Sequence, residues 1–216
     1  MRQNKLVVFD LDDTLFKEID YLKSAYGEIS SFIGHKDAFG LMLNSYHSGG
    51  NPFQTVIDSY SLPYTTQDLL TIYRQHKPNI VLDNAAEQLL SHLQSLDIAM
   101  GLITDGRSLQ QRNKIKALHL NRYINNDNIL ISEEKGYGKP DERLYLYFMT
   151  TFPNASYYYI GDNLKKDFIT PNALGWHTIA LLDDGRNIHS QQVIVEDNYL
   201  PQQRIASLEE LIPFFD

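Results

Sequence analysis

The chain of 216 residues contains no cysteine. That excludes a disulfide framework and thiol chemistry, and fits a cytoplasmic protein. Long apolar runs are also missing. Nowhere do 18 apolar residues follow one another, so no segment reads as a membrane-spanning helix. The first apolar run, Leu6 to Phe9, ends on Asp10 and is too short for a signal peptide. Positive charge is scarce, with 19 Lys and Arg against 27 Asp and Glu and a formal net charge of −8. A broad surface for nucleic acid or an anionic membrane is thereby disfavoured, and any anionic ligand would need a local positive site. Internal repeats and low-complexity segments are absent. What is present is enough apolar residue, 43%, to bury a core. The length suits one substantial domain, or a core with a smaller insert.

Apolar runs at Leu6 to Phe9, Ile98 to Ile103, Ile129 to Ser132, Tyr157 to Ile160 and His177 to Leu182 read as strands. Helical patterns separate them. Asn84 to Leu96 puts Ala85, Leu89, Leu93 and Leu96 on one face, and Leu109 to Leu118, Pro140 to Phe152 and Lys165 to Leu174 follow later strands. Pro171 is expected to shorten or kink the last of these. Ser207-Leu208-Glu209-Glu210 carries a capping-box pattern that opens a final helix. Strands alternating with helices predict an α/β fold with a parallel sheet. The stretch from about Phe16 to Ile80 breaks the alternation. It is helical by pattern, with Ile19, Leu22, Tyr26 and Ile29 at helical spacing and a loop signal at His47-Ser48-Gly49-Gly50-Asn51-Pro52. It is too long to be an ordinary connection.

The chemistry gathers at the strand ends. Asp10-Leu11-Asp12-Asp13-Thr14 follows the first strand, and alternation points Asp10 and Asp12 the same way. Thr104-Asp105-Gly106 follows the second, Lys139-Pro140 precedes a helical pattern, and Gly161-Asp162-Asn163 ends the fourth strand with Asp167 close behind. In an open parallel sheet ligands bind beyond the carboxyl ends of the strands. Two carboxylates there can hold a divalent cation, or divide attack and proton transfer between them. Each residue also has a plainer reading: Asp favours turns, Thr favours caps, and a lysine before a proline is by default on the surface.

In order, DLDDTL, TDG, KP and GDNLKKD resemble the four motifs of the haloacid dehalogenase-like (HAD) superfamily, and the resemblance covers nearly the whole chain. It implies a Rossmann-like parallel sheet flanked by helices, with residues 1–16 and 81–216 as the catalytic core and residues 17–80 as a small helical cap. It implies Asp10 as a nucleophile that forms an aspartyl-phosphate, and Asp12 as general acid and then base, with a pKa raised relative to Asp10. Mg²⁺ is the expected metal. Its implied ligands are the Asp10 side chain, the Asp12 backbone carbonyl and the Asp162 side chain, with Asp167 supporting them from behind or through water. Thr104 and the amides of Asp105 and Gly106 suit a phosphoryl group, and Lys139 would neutralise its charge and orient Asp10. Arg107 stands near the mouth as a possible substrate contact or an exposed side chain.

Asp12 matters for the reaction class. True dehalogenases lack an acid/base aspartate two residues after the nucleophile, and the phosphonate-cleaving branch needs a cap lysine not identified here; Lys23 and Lys36 are the ones well inside the insert. The reading is a Mg²⁺-dependent phosphatase for a small phosphorylated metabolite: a nucleotide monophosphate, a sugar phosphate or a phospho-acid. The alternatives are a β-phosphoglucomutase-like phosphomutase and, further off, a non-enzymatic phosphate-binding module. Two departures from the family pattern concern turns: Asp13 stands where glycine is frequent, and His119 where a helix-ending glycine is usual. The histidines match no metal-binding spacing.

Overall fold

The computed structural model describes residues 4–215. Residues 1–3 and 216, which the sequence reading assigns to the core, lie outside that range. The strands are β1 (Lys5–Phe9), β2 (Ala99–Thr104), β3 (Ile129–Ile131), β4 (Ser156–Gly161), β5 (His177–Leu181) and β6 (Gln203–Ile205). They form one sheet, in the order β3-β2-β1-β4-β5-β6, with every pair parallel. The helices are α1 (Glu18–Ile33), α2 (Ala38–His47), α3 (Pro52–Tyr60), α4 (Thr66–Gln75), α5 (Asn84–Ser95), α6 (Ser108–Ala117), α7 (Ser132–Lys135), α8 (Glu142–Thr151), α9 (Ile169–Ala173) and α10 (Ile212–Phe215).

The alternation of β1 sorts the core into two layers. Val7 and Phe9 join the cluster under α5, α6 and the C-terminal segment, whereas Leu6 and Val8 join the cluster under α8 and beside Phe168 and Trp176. All four side chains are fully buried, each stabilising the fold by about 1.5–3 kcal/mol relative to exposure. The chain runs outward from β1 through β2 to β3, then returns to the other side of β1 with β4. The winding therefore reverses between β1 and β4, and their carboxyl ends frame the crevice where such sheets bind ligands.

Four helices, α1 to α4, intervene between β1 and α5. They close around their own apolar cluster, which includes Ile19, Leu22, Tyr26, Ile29, Met42, Val56 and Leu69. Their ends are set by short signals. Gly34 ends α1 in the left-handed region, Asn51 accepts the amides of Phe53 and Gln54 ahead of Pro52, and Thr65 with Asp68 forms a capping box on α4. The loop signal at residues 47–52 falls between α2 and α3. α4 rests on α6 of the sheet layer, where Asn113 Nδ2 donates to the His76 carbonyl at 3.1 Å.

Several elements differ from the sequence expectation. The helix expected from Lys165 to Leu174 is confined to Ile169–Ala173, because Asp167 draws the backbone before it into a tight turn. Pro171 then falls in the first helical turn, where a missing N–H costs little. Ser132 opens α7 instead of extending β3. The capping box at Ser207 forms, but the first turn behind it is a 3₁₀ helix and only then α10. β6 was not anticipated; it is short and mostly exposed. Asp13 and His119 adopt positive φ, 59° and 53°, so both turns keep the left-handed backbone that glycine would have eased. Among the described residues no helix is long and apolar enough to cross a membrane.

Candidate active site

The site is assembled at the β1/β4 reversal. The Asp10 amide donates to the Ile160 carbonyl at 2.8 Å. This carries the β1–β4 ladder one step beyond the strands and brings Asp10 alongside Asp162. Lys139 arrives from the loop ahead of α8, its ammonium 2.6 Å from Asp10 Oδ1 and 2.7 Å from Asp167 Oδ1. Its backbone is fixed as well, since the Lys139 amide donates to Asp105 Oδ1 at 3.0 Å. Burial alone would lower the Lys139 pKa, but the Asp10 and Asp167 charges outweigh it and hold the ammonium well above its ordinary value.

Asp167 is fully buried, with both carboxylate oxygens committed. Oδ2 accepts the amides of Asp162 at 3.1 Å and Asn163 at 2.8 Å, and Oδ1 takes Lys139 and, at 3.5 Å, the Tyr159 hydroxyl. Gly161 makes room for this seat: a Cβ there would stand 2.5 Å from Asp167 Oδ2. One carboxylate oxygen from each of Asp10, Asp162 and Asp167 lies within 4.8 Å of the others.

Ionised together, these three buried carboxylates would carry more negative charge than the one buried ammonium balances. Burial raises Asp10 to about 7 against the pull of Lys139. Burial, then the charges of Asp10 and Asp167, raise Asp162 to about 9. Hard oxygen donors in negative excess fit a divalent cation of the Mg²⁺ kind. Asp10 and Asp162 line the cavity, while Asp167 braces Lys139 and the Asp162 backbone from behind.

Asp12 lines the same cavity but is held from a different direction. Its Oδ1 lies 2.6 Å from Lys114 Nζ and its Oδ2 accepts from Gln111 Nε2 at 2.9 Å, both partners being on α6. The structure thus places Asp12 in an ion pair with a lysine of α6. Glu18, at the start of α1, shares Lys114 at 3.4 Å. Burial and then the Asp12 charge raise Glu18 to about 7, opposed by Lys114.

Thr104 ends β2 with its hydroxyl 3.0 Å from Gln111 Nε2, and both Thr104 and Asp105 line the cavity. The Gly106 amide is directed elsewhere, at Ser132 Oγ (2.9 Å). Arg107 is exposed and pairs with Glu133 at 3.7 Å. Asp13, one step from Asp12, ties the neighbourhood together by accepting the amides of Glu18 and Ile188, both at 2.9 Å.

Several lining and supporting groups escaped the sequence reading. Lys166 lines the cavity and pairs with Asp105 Oδ2 at 3.0 Å, and His189 also lines it. Asn187 donates to Asp162 Oδ2 at 3.1 Å and accepts from Lys17 Nζ at 2.8 Å. Lys166 lies inside the GDNLKKD motif and could have been singled out there. Asn187, His189, Lys114 and Gln111 carry no local signal. The cavity encloses about 120 Å³, and larger hollows elsewhere on the molecule hold none of these carboxylates.

A parallel sheet with paired aspartates at its switch point and a lysine bridging two of them defines the class, and sequence comparison agrees with it. Residues 7–181 match the haloacid dehalogenase-like hydrolase family. The chain belongs to that family and is an enzyme of the HAD hydrolase type. It is 24% identical over 225 residues to a glyceraldehyde 3-phosphate phosphatase of Methanocaldococcus jannaschii, covering 96% of this chain and 95% of that one. A protein of the same name from Pyrococcus abyssi is 24% identical over 192 residues, covering 81% and 80%. Among solved structures, a HAD-hydrolase of Bacillus subtilis, YfnB, bound to magnesium, superposes with a TM-score of 0.73 at 20% identity over the full length of both chains. A structure from Thermotoga maritima described as a putative β-phosphoglucomutase gives 0.64 at 14% identity, covering 98% of each. These structural likenesses concern the fold.

Proposed function

We propose that the protein is a Mg²⁺-dependent phosphatase acting on a small phosphorylated metabolite through an aspartyl-phosphate on Asp10. The observation that carries the reading is the buried Lys139 ammonium between Asp10 and Asp167, with Asp162 beside them. An unbalanced carboxylate cluster next to a fixed cation suits phosphoryl transfer, where charge neutralisation and positioning dominate. Asp10 attacks phosphorus, the bond to the leaving oxygen breaks, and Asp12 gives that oxygen its proton. Water then attacks phosphorus with its proton passing to Asp12, and the Asp10–phosphorus link breaks to release phosphate. Thr104 and Lys139 hold the phosphoryl oxygens, and Lys166 at the cavity wall adds positive charge. Asp10, Asp162 and the Asp12 carbonyl would hold Mg²⁺, which keeps Asp10 ionised and neutralises phosphoryl charge when bound.

Residues 17–80 are read as a cap over this site, on the ground that their helices have a separate apolar core and Glu18 lines the cavity. A cavity of about 120 Å³ suits a phosphoryl group with a short carbon chain. Together with the two relatives named as glyceraldehyde 3-phosphate phosphatases, this favours three-carbon phosphates as substrates. The absence of cysteine is in keeping with a cytoplasmic enzyme. The test is phosphate release, with and without Mg²⁺, across triose phosphates, nucleotide monophosphates, sugar phosphates and phospho-acids, with Asp10→Asn as control. Metal-dependent release, absent in the variant, is expected and should be greatest for the three-carbon compounds. Near-normal turnover by Asp10→Asn in a clean preparation would overturn the nucleophile assignment.

A further inference from the structure

Lys114 is a charged group that the reaction above does not use, yet it is among the most deeply buried side chains in the molecule, 1% exposed. A lysine on a surface helix normally keeps its ammonium in water, and withdrawing one costs several kcal/mol unless ion pairs repay it. Here the ammonium is drawn in to Asp12 Oδ1 at 2.6 Å and Glu18 Oε1 at 3.4 Å. It sits over the ring of Tyr21 at 4.5 Å and near that of Phe16 at 5.8 Å. One turn earlier on the same face of α6, Gln111 Nε2 meets the other Asp12 oxygen at 2.9 Å, along with the Asp105 carbonyl at 2.7 Å and Thr104 Oγ1 at 3.0 Å. Both oxygens of Asp12 are therefore held from one rigid helix, and the same amide touches the phosphoryl-facing Thr104.

We propose that Lys114 is a positioning residue for Asp12, acting with Gln111 to fix the acid/base carboxylate relative to the leaving oxygen; this rests on the phosphatase reading. Lys114 keeps its three protons throughout, and the proton that moves belongs to Asp12 and its partner oxygen. Glu18 gives the ammonium a second anion, so it stays seated while Asp12 passes its proton on. A purely structural Lys114, joining α6 to the start of α1, would be equally buried, so the test must separate the two.

Leaving groups do so. An alkyl phosphate needs its oxygen protonated as the bond breaks, whereas p-nitrophenyl phosphate expels a stable anion and needs little help. In Lys114→Met we expect kcat/KM for an alkyl phosphate to fall on the order of 10²-fold, and that for p-nitrophenyl phosphate by only a few-fold. The ratio of the two, measured in one preparation, does not depend on what fraction of the protein is folded. Gln111→Leu, which releases the other oxygen, should shift the ratio in the same direction and serves if Lys114→Met does not fold. Equal losses on both esters, with the unaltered enzyme active on both, would overturn the positioning role alone. No turnover of either ester by the unaltered enzyme would overturn the phosphatase reading, and this inference with it.

Discussion

Lys139 and Asp167 form an ion pair at 2.7 Å in which neither side chain has any exposure. The pair is what aims the ammonium at Asp10, because Asp167 is pinned by two backbone amides on its other oxygen. Lys139→Met should therefore do double damage. It leaves the Asp10 and Asp167 carboxyl groups buried without their ammonium partner, which costs about 3–5 kcal/mol, and it removes the cation beside the proposed nucleophile. Urea unfolding should show the stability loss and phosphate release should fall to background. A variant that kept full stability would mean that water or another cation reaches the site in place of Lys139.

Stability should depend on pH in a way that metal reverses. Burial raises Asp10 and Glu18 to about 7 and Asp162 to about 9, while the same groups in an unfolded chain titrate near 4. Between those values the folded protein holds protons that the unfolded chain has released. This contribution is complete below about pH 4 and is lost as pH rises through 7 and then 9. In chelator, the urea midpoint should fall between about pH 6 and about pH 9. Saturating Mg²⁺ binds the deprotonated carboxylates and should flatten or invert that slope. At a hundred times its dissociation constant it should add about 2.7 kcal/mol, or roughly 5–11 °C in Tm for a chain of this size. A slope unchanged by Mg²⁺ would argue against an ion between Asp10 and Asp162.

Asn187 links Asp162, the proposed metal carboxylate, to the base of the helical insert, donating to Asp162 Oδ2 and accepting from the buried Lys17. Asn187→Leu should loosen Asp162 without touching the core, since Asn187 lies on an outer loop. Mg²⁺ affinity, read by calorimetry, is expected to weaken by about 10–100-fold, with the metal-free Tm little changed. If affinity is unaltered, the Asp162 position is set by its backbone alone.

The strand ends were legible because two unmistakable signals coincide there: a run of side chains buried on both faces, and carboxylates where such a run stops. Leu6 to Asp10 and Tyr157 to Asp162 both show this, and the reversal of winding between β1 and β4 brings them together. Lys114 and Gln111 were not legible. On α6 they look like ordinary polar positions, and only acceptors about 100 residues earlier in the chain, Asp12 and Glu18, turn them inward. Asn187 and His189 sit in an irregular loop whose path follows from long-range bonds, the Ile188 amide to Asp13 and Asn187 to Asp162 and Lys17 among them. β6 lacked a signal for a different reason: three residues at a sheet edge, two of them exposed, carry no periodicity to read. The shortened α9 shows local side-chain bonding winning over helical pattern, as Asp167 collects the amides of residues 162 and 163.

Gly161 offers the sharpest test of how closely the site is packed. Its φ is unexceptional, so an alanine there would be tolerated by the backbone. The obstacle is contact, since an added Cβ would lie 2.5 Å from Asp167 Oδ2 and 2.9 Å from its Cγ. Asp167 cannot swing away cheaply, because it is fully buried and bonded to Lys139 and to the amides of Asp162 and Asn163. Gly161→Ala should cost about 1–3 kcal/mol as an overpacked site. It should also lower turnover by more than that loss explains, because the displaced carboxylate carries Lys139 with it. Activity per folded molecule, with the folded fraction taken from the unfolding curve, is the measurement. A variant that loses stability but keeps its turnover would show that Lys139 holds its place beside Asp10 without Asp167, and the bracing role given to that pair would fall.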